Sequence, residues 1–278
     1  MFQTVEGTPP TLFPAADSAR AARSVEVRRT VAVAGVLGSL ACGGVAGFAH
    51  AQEPPPSPAA GSSLDASRIA TGAFRYVMLL QGRKFGEFGL TVTRREDGSF
   101  QVSEEAAGAA GRQRSTYLFT RDLRPVSADQ EGTFGEVSAS LHLTYEGPWV
   151  RGRARLPAEE DPPTDSPRVR EVVVDTLLAP GTLDEQMELA VILAGPLRPG
   201  ARIERPIFSP GRGVRRLRAA VTDEVTVKVP AGTFETYRVE ISSAESGLVV
   251  YVTRDLPRRL VKEELGGGAV SIELESGG

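Results

Sequence analysis

The side chains in this sequence that could do chemistry are a lone mid-chain histidine, several carboxylate pairs and a run of arginines. His142 stands in Val137–Tyr145, where Val137, Ala139, Leu141, Leu143 and Tyr145 alternate with Ser138, Ser140, His142 and Thr144. A general base needs a nucleophile and an orienting acid within hydrogen-bond reach, and no G-x-S-x-G elbow occurs in the chain. His142 therefore reads as a surface histidine on the polar side of a strand. Glu104-Glu105 and Glu263-Glu264 fall in strand-like segments. Successive strand residues point to opposite faces, so neither pair alone can bracket one glycosidic bond. A dyad assembled across strands stays open. Glu159, Glu160, Asp161 and Asp165 lack the spacing of a calcium loop and are interrupted by Pro162 and Pro163, which favours a solvated acidic loop. Gly211-Arg212-Gly213 lacks the G-x-G-x-x-G spacing and the βαβ setting of a dinucleotide site. Within the basic stretch from Arg202 to Arg218, the candidate contacts to a phosphate or carboxylate are Arg212, Arg215, Arg216 and Arg218. The competing reading is a strand edge protected by charge. No catalytic residue, cofactor ligand or metal ligand is assigned.

The strongest local signal concerns destination. Arg28-Arg29 precede nineteen uncharged residues, Thr30 to Phe48, which end in Ala49-His50-Ala51 and Gln52. A basic pair, an apolar run and an A-x-A site are the three parts of a secretory signal peptide. Cleavage is expected after Ala51, so Ala49, Ala51 and Gln52 define the cleavage site. The run is mostly Ala, Gly and Val, which insert weakly, so no permanent transmembrane span is expected after cleavage. Weaker readings are a twin-arginine signal at Val27–Val31 and lipidation at Cys42. Residues 1–27 are long for such a leader. Residues 52–70, rich in Pro, Ala and Ser, read as a flexible linker, and residues 71–278 as one domain.

The whole chain has 278 residues, net charge −3 and a pI near 5.7. Removing residues 1–51 takes Cys42 and His50 with it. It leaves 28 basic against 32 acidic residues, net −4, and no thiol to form a disulfide. An acidic chain argues against nucleic acid as a partner. Gly and Pro are abundant, at 30 and 20 residues, and the dominant period is two. Phe74-Tyr76-Met78-Leu80, Phe88-Leu90-Val92 and Val225-Val227-Val229 alternate, and Asp97-Gly98 and Pro230-Ala231-Gly232 supply turns. About a dozen strands are expected. One segment has helical spacing. Thr182 is followed three residues on by Glu185, a capping box, and Leu183, Met187 and Val191 recur along one face until Gly195-Pro196. A single helix over 182–194 cannot supply the crossovers of a parallel sheet. The fold expected is mainly β: a curved antiparallel sheet or open half-barrel with one amphipathic helix packed on it.

The segment VKVPAGTFETYRV (Val227–Val239), Asp255-Leu256-Pro257 and the closing Leu260–Leu274 resemble domain-of-unknown-function family 3108, a family of uncharacterised exported bacterial proteins. The helix near Leu183-Asp184 and Leu197-Arg198-Pro199-Gly200 are similar to that family too. The resemblance covers roughly residues 70–275. It implies a β-rich, half-barrel-like envelope protein and supplies no activity. The function expected is non-enzymatic binding of a lipid or other amphiphile, or of a partner chain, in the periplasm or outer envelope. A carboxylate-dependent hydrolase and an assembly factor acting through strand edges are the alternatives.

Overall fold

The computed structural model describes residues 64–109, 111–157, 169–242 and 247–278. The leader, the cleavage site and the acidic loop lie outside the described residues. The described chain forms fifteen strands: β1 (Gly72–Leu80), β2 (Arg83–Arg94), β3 (Phe100–Gly108), β4 (Gly111–Phe119), β5 (Pro125–Phe134), β6 (Val137–Glu146), β7 (Trp149–Pro157), β8 (Val169–Leu177), β9 (Leu183–Asp184), β10 (Arg202–Ser209), β11 (Gly213–Val229), β12 (Gly232–Ile241), β13 (Leu248–Thr253), β14 (Leu260–Leu265) and β15 (Val270–Gly277). Helix α1 spans Glu188–Ala194.

The strands make one sheet in the order β8-β7-β6-β5-β4-β3-β2-β1-β15-β14-β13-β12-β11-β10-β9. It consists of two antiparallel meanders welded where the first long strand meets the last, with Tyr76 opposite Leu274 and Met78 opposite Ile272. Only β9 runs parallel to its neighbour. The period-two pattern is the cause: one face of each strand carries apolar side chains, and burying it requires the sheet to curl around them. Tyr76, Phe100, Tyr117, Phe119, Leu217, Leu260, Ile272 and Leu274 are all fully buried in one continuous core.

The sheet curls without closing. No ladder among the described residues joins β8 to β9. Side chains span the seam instead: Gln186 Nε2 donates to Gln130 Oε1 on β5 at 3.0 Å, and the Tyr145 hydroxyl on β6 donates to Asp184. The long hairpin β11–β12 turns at Pro230-Ala231, and the Ala231 N–H donates to the Leu274 carbonyl at 3.0 Å. Gly232 leaves that turn at φ +137°, a conformation a β-branched residue resists.

Two expectations need correction. The helix does not begin at Thr182. Leu183 is held in β9 opposite Ile207, and Asp184 is the cap, its carboxylate accepting the Gln186 N–H at 2.8 Å. A short 3-10 turn, Glu185–Met187, then leads into α1. Asp outcompetes Thr because strand pairing fixes the chain up to Asp184, leaving its side chain beside the first free N–H. As expected, the helix packs against the sheet. Leu183, Met187 and Val191 are buried, and so is every residue from Ala190 to Ala194, so α1 is enclosed on all sides after its first two residues. Arg258 donates to the carbonyls of Leu193 and Gly195, and Arg68 to that of Ala194, which helps satisfy the last carbonyls of the helix. The packed domain also starts before Thr71. Ala66 and Ile69 are buried, and the Asp65 N–H donates to the Ala194 carbonyl at 3.2 Å.

Candidate functional site

The apolar interior contains an unusual number of carboxyl groups. Glu104 shares its strand face with Phe100 and Val102, and Glu263 shares one with Val261 and Leu265, so alternation carries both inward. Their sequence neighbours point outward. Glu264 pairs with Lys262 at 3.0 Å and accepts the Tyr251 hydroxyl at 2.9 Å. Glu105 pairs with Arg114. The turn before α1 adds Asp184 and Glu185, and the first helical residue is Glu188.

Their partners differ. Glu104 lies directly opposite Ser115, whose hydroxyl donates to it at 3.0 Å, and the Tyr117 hydroxyl donates at 3.3 Å. Burial pushes Glu104 up to about 7, and those two hydroxyls hold it down from a larger rise. Glu263 lies between Val250 on β13 and Ile272 on β15. Its Oε1 is buried without a hydrogen-bond partner. Burial, reinforced by the charges of Glu104 and Glu188, pushes it up to about 8. Burial likewise raises Glu185 to about 8 and Asp184 to about 6, with Ser209 opposing the first shift and Tyr145 the second. Arg215, on the core face of β11, reaches Glu188 at 2.8 Å and Glu185 at 3.4 Å.

These groups form one neighbourhood. Glu263 senses Glu104 and Glu188, and Tyr117 senses Glu104 and Asp184. A polar row runs across the first meander through Glu104, Ser115 and Gln130, each opposite the next, and continues to Gln186. Three acceptors in or beside this neighbourhood have no donor: Gln113 Oε1, Gln186 Oε1 and Glu263 Oε1. The interior can therefore hold or release protons near neutral pH and accept hydrogen bonds from an enclosed polar group. Among the described residues no three His, Cys, Asp or Glu side chains are grouped to hold a metal ion.

The hairpin at Pro230-Ala231 and the closing pair β14–β15 stand where the sequence resemblance placed them. The sequence model of the protein-of-unknown-function family DUF3108 matches residues 75–275. The chain belongs to the DUF3108 family. No curated protein matches it. Similar solved structures include a β-barrel-like DUF1849 protein from Brucella abortus, at 9% identity and TM-score 0.46, covering 76% of this chain and 98% of that one. Another is a Bacteroides fragilis protein named as a "putative exported protein" with a YmcC-like fold, at 11% identity and TM-score 0.31, covering 76% and 97%. In this DUF3108 chain no described helix is long and apolar enough to cross a membrane.

The DUF3108 fold separates the candidate arginines. Arg215 faces the core, while Arg216 pairs with Glu204 on the neighbouring strand at 3.4 Å, and Arg218 is exposed. Arg212 sits in the turn before β11 and is exposed. The alternation of β11 thus directs the central arginine to carboxyls of the chain itself. His142 is exposed on the outer face, 2.9 Å from Asp129. The interior carboxyls were the part sequence reasoning did not assemble. The available signal was parity with Phe100 and Val102, and with Val261 and Leu265.

Proposed function

We propose that this DUF3108 chain is an exported bacterial envelope protein that encloses an amphiphile inside its open barrel and does no chemistry on it. The observation that carries the reading is the set of unpartnered acceptors on Gln113, Gln186 and Glu263 in a buried interior that combines apolar side chains with carboxyl groups. A buried polar atom without a partner costs about 1–3 kcal/mol, and native proteins retain such atoms mainly where something else engages them. A ligand with a donor-bearing head and an apolar chain meets both demands of such an interior. The seam between the two sheet ends, bridged by side chains and not by a backbone ladder, is the natural way in.

Export rests on Arg28-Arg29, the uncharged run to Phe48 and Ala49-His50-Ala51. Mature protein from a bacterial envelope is expected to begin at Gln52. Ala51→Phe should block cleavage, because the side chain must enter a small pocket, and the precursor should collect in the membrane fraction. An intact Met1 on a soluble cytoplasmic product would overturn export. For the ligand, native mass spectrometry and organic extraction of protein purified from its own envelope should show a co-purifying amphiphile. Repeated absence would remove the binding reading.

A further inference from the structure

The interior specifies the head group as well as its presence. Resting on the amphiphile reading above, we infer that the head group is cationic, a primary ammonium seated among Glu104, Glu263 and the polar row that ends at Gln186. Three independent features of the geometry carry this.

First, carboxyl groups outnumber the cations that reach them. The core face carries five carboxyl groups, Glu104, Asp184, Glu185, Glu188 and Glu263. The guanidinium that meets any of them there is Arg215, and it is already shared by Glu185 and Glu188. Arg258 is committed to the carbonyls at the end of α1. Arg259 acts on Tyr76, its Nη1 donating to the Gly277 carbonyl, and neither arginine is among the groups acting on Glu263. Among the described residues, Glu104 and Glu263 are therefore left without a cation.

Second, Gln113, Gln186 and Glu263 each leave a buried acceptor oxygen unpartnered, while the unpartnered donor nitrogens, Nε of Arg215, Arg258 and Arg259, belong to guanidiniums already engaged through their Nη atoms. Gln113, Gln186 and Glu263 are exposed by only 6%, 7% and 6%, so each is shielded from bulk solvent, and each presents an oxygen to which no described protein group donates. An ammonium carries three donors and no acceptor, which matches that set. A phosphate or carboxylate head would offer acceptors to acceptors and add negative charge beside Glu104 and Glu263.

Third, the surroundings suit a chain. Along the sheet, Phe88 on β2 and Tyr76 and Met78 on β1 lie between the strands that carry the two acids, and Phe100 on β3 stacks on Phe119 on β4 at 5.8 Å. A head held at the carboxyls leaves its tail against these apolar side chains.

Such binding is linked to protons. Glu263 holds a proton at neutral pH because burial disfavours its anion. A cation beside it reverses that preference, so the ligand displaces a proton.

The test uses the folded, delipidated mature protein and three ten-carbon probes below their micelle concentrations: decylammonium, decyl maltoside and decyl sulfate. Isothermal titration in buffers of different ionisation enthalpy reads affinity and proton release together. Decylammonium should bind at least about tenfold more tightly than either other probe and release a sizeable fraction of one proton at pH 7. Glu104→Gln with Glu263→Gln should abolish that preference and the proton release while leaving the weak decyl maltoside binding in place. If decyl maltoside or decyl sulfate binds wild type as tightly as decylammonium, the cationic head is wrong and the amphiphile reading survives. If the double variant keeps the decylammonium preference, the site is misplaced and the inference fails. If no probe binds, both fall together.

Discussion

Glu104 and Glu263 are the same side chain at similar burial, one in each meander, and they have different partners. Glu104 has Ser115 opposite it and Tyr117 within reach, and rises to about 7. Glu263 has Val250 and Ile272 beside it, and rises to about 8. Burial sets the direction in both cases. Two hydroxyls donating to the anion account for the smaller rise, and carboxylates nearby add to the larger one. The first meander has dressed its buried acid with donors. The second has left its acid bare, and that is the end of the interior where an outside donor has most to gain.

The largest effect should come from removing the bare acid. A carboxyl whose folded-state value lies above its unfolded one stabilises the fold fully at low pH, and that contribution is lost as pH rises through the folded value. For Glu263 the window runs from about 4.5 to about 8. Glu263→Gln keeps the shape and removes the ionisation. At pH 8.5 it should be more stable than wild type, by at most on the order of 4 kcal/mol, and near-equal at pH 4.5. Thermal unfolding across that range checks it, and parallel pH profiles for the two proteins would erase the distinction drawn between the meanders.

Arg215→Leu asks whether the remaining acids of the second meander depend on their one guanidinium. Glu185 and Glu188 would lose their counter-charge in a buried setting, at a cost of about 2–3 kcal/mol at pH 8. The cost should shrink at pH 5, where both hold protons more readily. A pH-independent loss in chemical denaturation would mean that Arg215 acts through packing alone.

Ser115→Ala turns Glu104 toward the condition of Glu263. It removes the 3.0 Å hydroxyl, so the Glu104 carboxyl should titrate higher, and stability at pH 8 should fall by about 1–2 kcal/mol. NMR titration of the side-chain carboxyl reads this directly. An unmoved Glu104 would transfer its lower acidity to some other cause.

The smallest effect supplies the control. Gly232→Val strains the hairpin exit at φ +137° and should cost about 1 kcal/mol, equally at pH 5 and pH 8, because no titrating group is involved. A pH-dependent cost would show that the hairpin tip on Leu274 communicates with the buried acids.

Turns and parity were legible because each depends on a few neighbouring residues, while the dozen strands expected fell short of the fifteen described. Phe74 to Leu80, Phe88 to Val92 and Val225 to Val229 announce strands by alternation alone, and Pro230-Ala231-Gly232 announces the turn between two of them. Alternation even states that only one of Glu104 and Glu105, and one of Glu263 and Glu264, can face inward. The helix start was misread because a capping box is local, whereas the pairing of Leu183 with Ile207, which moved the cap to Asp184, joins residues twenty-four apart. The sequence by itself thus determined a family and a curling antiparallel sheet. Only the tertiary structure decided that Glu104, Glu263, Asp184 and Glu188 share one interior while Arg216 and Arg218 do not. Period two assigns a side chain to a face. Which faces meet depends on the weld between β1 and β15 and on the curl that brings β9 back to β5, contacts between residues far apart in the chain.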